Sequence, residues 1–188
     1  MICLKINLKT IAAAIAVTTF GVMALPVLAE DTGARSMIIA ASHPTAPEFA
    51  GIGHWLNSEP LTMAKLRGKV VLVDFWTYGC YNCVNTLPYV KALQQKYGKD
   101  AFTVIGVHTP EFPHEKSTAN VEAAIKKHGI TYPVAQDNNF TTWNAYGNQY
   151  WPAQYIVDKS GKIVYAHAGE GQYDMIENTI QELLKGTS

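Results

Sequence analysis

Two cysteines three positions apart, Cys80 and Cys83, are the residues whose type and spacing point most clearly to chemistry. They follow a continuous apolar run, 70–76, of the kind that buried parallel strands show, and helical spacing begins after Cys80. A cysteine at a helix start faces unpaired backbone N–H groups and the positive end of the helix dipole. We therefore expect a lowered pKa for Cys80, and Cys83, one turn further in, to close a disulfide with it.

The alternatives to a redox pair are an incidental structural disulfide and half of a zinc site. The sequence holds no second Cys-x-x-Cys motif to complete such a site. A strand–Cys-x-x-Cys–helix arrangement is also more specific than the bare motif. We interpret Cys80 and Cys83 as a redox pair that works without a metal or other cofactor.

Asp74 is the single acid inside the apolar run that leads to the cysteines. A buried, unpaired carboxylate is costly, so the pKa of Asp74 should be raised toward the working range of a general base. The alternative is a strand-end acid whose oxygens accept backbone N–H groups. We favour the general-base interpretation of Asp74 over this alternative.

The remaining pattern predicts an α/β architecture built on one mixed sheet with flanking helices. Strand and helix signals alternate up to position 135, and a helix, a hairpin and a final helix follow. The predicted strands are 51–56, 69–76, 102–107, 132–135, 154–158 and 162–167. The predicted helices are a short piece within 59–67, then 80–97, 117–128, 140–146 and a C-terminal helix with its apolar stripe at Ile176, Ile180, Leu183 and Leu184.

The segment 70–76, followed by Cys80, Cys83 and Pro88, resembles the active-site region of thioredoxins, in particular the exported TlpA/ResA-like branch. The stretches 107–111, 132–138 and 150–153 resemble the thioredoxin-like domain of DipZ-type proteins. The similarity extends over about 50–185. It implies a thioredoxin-like fold with an N-terminal strand extension and an inserted strand–helix segment at about 111–135.

The resemblance also assigns roles to residues around the cysteines. Asp74, six residues before Cys80, matches a buried acid that relays a proton to and from the inner cysteine, here Cys83. Pro152 matches a cis-proline that packs against the redox motif and presents backbone groups to a substrate. Trp151, Tyr78 and Tyr81 would form an apolar rim for partner polypeptides, and Tyr81 and Asn82, between the cysteines, would tune the redox potential. TlpA/ResA-like proteins often carry a glutamate three residues after the second cysteine, where this chain has Thr86.

The first 29 residues are typical of a secretory signal peptide. Lys5 and Lys9 precede an apolar run, 11–25, and Val27 and Ala29 fit the small-residue positions before a cut. The run is shorter than the roughly 20 residues of a membrane-spanning helix. We predict a leader at 1–29, a linker at 30–49, a domain at 50–188, and a periplasmic location, with secretion or a retained signal anchor as alternatives.

Charge and composition indicate what the chain binds. The 15 basic residues match 15 acidic ones, and the arginines number two, Arg35 and Arg67, so no polybasic patch for nucleic acid is present. The resemblance implies a protein thiol–disulfide oxidoreductase, working as a reductase on disulfide-bearing exported proteins. Its electrons would come from a membrane thiol reductase similar to CcdA or DsbD.

Two rival functions stay open at this point. Thr77 and Cys80 resemble the Thr-x-x-Cys of thiol peroxidases of the peroxiredoxin type, but Val73 stands where their proline belongs and no arginine follows Arg67. A copper chaperone of the Sco kind would need a histidine near the cysteines, and it spaces its cysteines one residue wider. Each of the two candidate histidines, His108 and His167, ends a predicted strand, where we expect a surface or capping role.

Overall fold

The computed structural model describes residues 43–99 and 101–186. The predicted leader and residues 30–42 therefore lie outside the described residues. In chain order the elements are β1 (His54–Leu56), β2 (Val70–Trp76), α1 (Tyr81–Tyr97), β3 (Phe102–His108), α2 (Thr118–His128), β4 (Val134–Gln136), α3 (Thr141–Ala145), β5 (Ala153–Val157), β6 (Ile163–Ala168) and α4 (Tyr173–Lys185). A short 3-10 turn, Pro113–Lys116, lies between β3 and α2.

The strands form one six-stranded mixed sheet in the order β1–β4–β3–β2–β5–β6. Strands β2, β3 and β4 run parallel, whereas β1, β5 and β6 pair antiparallel with their neighbours. The predicted mixed sheet with flanking helices is confirmed, and β1 is the N-terminal extension at one edge. The inserted segment supplies α2 and then β4, so its helix precedes its strand.

Strand β2 lies inside the sheet between β3 and β5, and every one of its residues is buried. Successive side chains of a strand point to opposite faces of a sheet. Val70, Leu72 and Trp76 join a core with α1, α2 and α4, whereas Val71, Val73 and Phe75 join a second core with α3. This alternation places the side chain of Asp74 on the face that α1 covers.

The N-terminal part of the domain differs from the prediction in two places. The predicted helical piece within 59–67 is a series of turns, in which the backbone N–H groups of Met63 and Ala64 donate to the carboxylate of Glu48. The end of the predicted linker is also part of the fold. Thr45 bridges to Lys162 beside β6, and Ala46 is buried.

None of the helices within 43–99 and 101–186 has the length and apolar character needed to cross a membrane.

Candidate active site

Cys80 and Cys83 are joined by a disulfide, with their Cα atoms 5.2 Å apart. Cys80 is the N-cap residue of α1, and its Sγ accepts a hydrogen bond from the backbone N–H of Cys83 at 3.1 Å. Cys80 is partly exposed, whereas Cys83 is 1% exposed and packs in the core. A partner can therefore reach the outer sulfur and not the inner one.

The redox turn, which we define as residues 77–80, connects the end of β2 to the start of α1. The backbone N–H of Cys80 donates to the carbonyl of Thr77 at 3.3 Å, and Val84 N–H then donates to the carbonyl of Cys80, which starts the helix. One face of α1, with Cys83, Leu87 and Val90, is buried against the sheet. Burial of that face fixes the direction of the helix start and hence the position of Cys80.

Asp74 is fully buried, and burial raises its pKa from 3.8 to about 7, although a hydrogen bond from Gln154 acts in the lowering direction. The amide Nε2 of Gln154 donates to Asp74 Oδ1 at 3.3 Å across the β2–β5 pair. No backbone donor satisfies the carboxyl group among the hydrogen bonds of the described residues. A carboxyl group with a pKa near 7 can take up and release a proton close to neutral pH.

A cavity of about 250 Å³ lies between α1 and α4, and its wall includes Gln154. Most of the remaining wall is apolar, with Val90, Leu93 and Ile176 among its residues. The side-chain Oε1 of Gln154 is buried and has no hydrogen-bond partner.

Opposite Gln154, Asp74 pairs in register with Gly106 of β3. A Cβ atom at Gly106 would lie 3.0 Å from the indole Nε1 of Trp76 and 3.1 Å from the ring of Tyr132. The missing side chain therefore lets both aromatic rings pack over the strand beside Asp74. Trp76 itself is completely buried, as expected for a core aromatic.

The predicted substrate rim is held by the segment that follows β3. The Trp151–Pro152 peptide bond is cis, as the resemblance implied. The indole N–H of Trp151 donates to the carbonyl of Thr109 at 3.0 Å, and the hydroxyl of Tyr78 donates to the carbonyl of His114 at 3.0 Å. Both rings are partly buried, and Tyr78 belongs to the redox turn itself.

Tyr81 is the most exposed of the predicted rim residues, with 77% of its surface accessible. Asn82 is exposed as well, and its carbonyl accepts a hydrogen bond from the buried hydroxyl of Thr86 at 2.9 Å. Thr86 therefore caps the first turn of α1 from inside. Tyr150, which precedes Trp151, and Phe112 are also exposed aromatics, and the sequence pattern alone did not single them out.

The expected surface position of the two histidines is wrong, because both are buried. His108 Nε2 hydrogen-bonds to Thr77 Oγ1 at 3.2 Å, and its ring stacks on Tyr78. Burial lowers the pKa of His108 from 6.5 to about 4, so the ring is neutral at pH 7. The distance from His167 Nε2 to the carbonyl oxygen of Glu170 is 3.3 Å.

The surroundings of Cys80 do not favour either rival function. Arg67, the one arginine within the described ranges, places its guanidinium against Gly161 in the β5–β6 turn, at the end of β5 away from Pro152. Thr77 is buried and occupied by its bond to His108. Among residues 43–99 and 101–186, no group of three or more His, Cys, Asp or Glu side chains is arranged to hold a metal ion.

Comparison with known proteins adds the family context. Residues 41–183 match the family described as Redoxin. The chain is 46% identical over 143 residues to the protein DipZ of Mycobacterium bovis, a match that covers 74% of this chain and 21% of DipZ. The chain therefore spans about a fifth of the length of that relative.

Two further matches extend over nearly the whole of the other protein. The thiol-disulfide oxidoreductase YkuV of Bacillus subtilis is 30% identical over 141 residues, which cover 75% of this chain and 95% of YkuV. A crystal structure of a thioredoxin-like superfamily protein superimposes with a TM-score of 0.72 at 27% identity, covering 77% of this chain and 98% of that one.

Proposed function

Because the chain belongs to the redoxin family of thioredoxin-like thiol–disulfide oxidoreductases, we propose that it is exported and reduces disulfides in partner proteins. The observation that carries this proposal is the asymmetry of the pair, with Cys80 reachable at the N-cap of α1 and Cys83 buried behind it. Such an asymmetry separates an attacking sulfur from a resolving one.

The reaction begins with the reduced enzyme. The Cys80 thiolate attacks one sulfur of the partner disulfide, which forms a mixed disulfide and releases the first partner thiolate. Asp74 accepts the proton of the Cys83 thiol, and the Cys83 sulfur then attacks Cys80. This closes the Cys80–Cys83 disulfide and releases the second partner thiolate, so the partner gains two electrons and the enzyme loses two.

The rim around the redox turn would hold the partner during this exchange. Trp151 and Tyr78 offer apolar walls, Pro152 offers the backbone beside them, and Tyr81 projects into solvent at the helix start. An aromatic surface of this kind suits unfolded or extended polypeptides. By resemblance, a membrane thiol reductase similar to CcdA or DsbD would return the electrons and regenerate the dithiol.

A redox equilibrium with glutathione tests the direction of the reaction. We expect a midpoint potential nearer to the roughly −270 mV of thioredoxin than to the roughly −120 mV of a strong oxidase. The fraction of oxidised protein is measured by thiol alkylation and mass spectrometry across a series of glutathione ratios. The reduced chain should also reduce the disulfides of a model protein such as insulin, with dithiothreitol as the final donor. A potential near that of the oxidase would contradict the proposal of a reductase.

Export is tested by the mass and location of the protein in a bacterial host with a periplasm. We expect a periplasmic product that begins at Glu30, because the leader pattern predicts a cut after Ala29. A chain that lacks residues 1–29 is the control and should remain in the cytoplasm. An intact chain in the membrane fraction would show a retained anchor, and an intact chain in the cytoplasm would contradict export.

A further inference from the structure

Glu115 is a fully buried acid in the 3-10 turn that follows β3. Its carboxylate accepts three hydrogen bonds, all from backbone N–H groups: Oε1 from Gly79 at 3.0 Å, and Oε2 from Glu111 at 2.6 Å and Phe112 at 2.9 Å. Backbone N–H groups only donate, so all three match the acceptor oxygens of a carboxylate. Glu115 therefore places a negative charge inside the protein, where solvent screens it little.

The bond to Gly79 joins this charge to the redox turn, since Gly79 is the residue immediately before Cys80. A Cβ atom at position 79 would overlap with Oε1 of Glu115. Gly79 is consequently required by the close approach of the carboxylate and not by a left-handed backbone. The redox turn therefore accommodates the Glu115 carboxylate only with glycine at position 79.

The other titratable groups around the redox turn contribute less charge at neutral pH. His108 is neutral, because burial lowers its pKa to about 4. Asp74 lies on the face of β2 that α1 covers and has a pKa of about 7, so it is partly protonated. The side chains of Glu111 and His114 are exposed to solvent, which screens them. Glu115 is the buried carboxylate that is bonded directly to the turn.

We propose that Glu115 is a positioning residue that fixes the Gly79 peptide and, through its negative charge beside Cys80, holds the dithiol at a more reducing potential. This inference rests on the proposed role of Cys80 as the attacking thiol. A nearby like charge disfavours the Cys80 thiolate. A less stable thiolate makes the reduced form less stable relative to the disulfide, so the enzyme gives up electrons more readily.

The test replaces Glu115 and measures the redox potential of the Cys80–Cys83 pair and the pKa of Cys80. Glu115→Gln removes the charge and keeps an acceptor for Gly79. In Glu115→Gln, the amide N–H groups can face the backbone N–H donors of Glu111 and Phe112 and prevent folding. Glu115→Ala removes the charge without this conflict and is the second charge-free variant. Glu115→Asp keeps the charge.

For the charge-free variants we expect about a tenfold shift of the equilibrium with glutathione toward the dithiol, which is about 30 mV. The pKa of Cys80 should fall by about one unit. Thiolate absorbance gives that pKa in a Cys3→Ser, Cys83→Ser background, where Cys80 is the sole thiol. The potential is measured with Cys3→Ser alone. The Asp variant should stay closer to the unsubstituted chain in both measurements.

Glu111→Gln is the matched control, because Glu111 lies in the same segment but is exposed. It should leave both values unchanged. Unchanged values in the folded charge-free variants, or a shift toward the disulfide, would overturn the role of Glu115. Failure of Cys80 and Cys83 to form a reversible disulfide in the unsubstituted chain would instead overturn the proposed function, so the two failures are distinguishable.

Discussion

Replacing Cys80 with serine is expected to reduce protein-disulfide reduction to the uncatalysed rate, whereas replacing Cys83 should trap the partner covalently. Cys80 is partly exposed at the N-cap of α1, so it is the sulfur that a partner disulfide can reach. Cys83 is 1% exposed and is joined to Cys80, so a partner disulfide cannot reach it directly. Without it, the mixed disulfide lacks its resolving thiol and accumulates.

The measurement combines turnover of a model protein disulfide with non-reducing electrophoresis. Both variants are made in a Cys3→Ser background, because Cys3 is the third cysteine of the full chain. The Cys83→Ser variant should form a one-to-one adduct that dithiothreitol releases, and the double variant with Cys80→Ser should form none. An adduct with Cys80→Ser but not with Cys83→Ser would reverse the assigned roles. Full turnover by Cys80→Ser would contradict the mechanism.

Much of this site could be predicted from the sequence because its geometry is local. The turn from β2 to α1 is short, so the position of Cys80 at the helix start follows from where the apolar run ends. The period of two along β2 places Asp74 on the same face as Leu72 and Trp76, which α1 covers. Burial of Asp74 and its raised pKa follow from that placement.

The residues that sequence reasoning missed are buried by contacts distant in the chain. His108 ends β3 and would be exposed on an isolated strand, but the segment after β3 and the ring of Tyr78 cover it. Glu115 carries one local signal, since it stands three residues after Phe112 at the start of a turn opened by Pro113, as in a capping box. Its bond to Gly79 spans 36 positions, and no local pattern reveals that partner.

Asp74→Asn is expected to stabilise the folded protein at pH 8 and to leave its stability unchanged at pH 3. The pKa of Asp74 is 3.8 in the unfolded reference and about 7 in the fold. Between these values the folded state binds the proton that the unfolded state has lost, so stability falls as pH rises. Above pH 7 the full cost is present, on the order of 4 kcal/mol. Asparagine is neutral at every pH and avoids this cost.

Chemical denaturation of the oxidised protein from pH 3 to 9 measures this effect, because thiols in the disulfide do not titrate. His108 has the opposite effect on the free energy of unfolding over part of this pH range. Because its pKa is lowered in the fold, the stability that it contributes rises between about pH 4 and 6.5. The difference in the free energy of unfolding between the unsubstituted chain and Asp74→Asn cancels the His108 contribution and isolates that of Asp74. A difference that stays constant over the whole pH range would contradict the raised pKa.

The same variant separates a proton-transfer role from a purely structural one. If Asp74 takes the proton from Cys83, Asp74→Asn should slow resolution of the mixed disulfide about 100-fold at pH 7, the lower end of general-base effects. The defect should shrink above pH 9, where hydroxide ionises the thiol directly. Formation of the mixed disulfide at Cys80 should change much less, because Asp74 is buried on the core face of β2 whereas Cys80 is partly exposed. If the variant is more stable but resolves the mixed disulfide at an unchanged rate, Asp74 destabilises the fold and has no role in proton transfer.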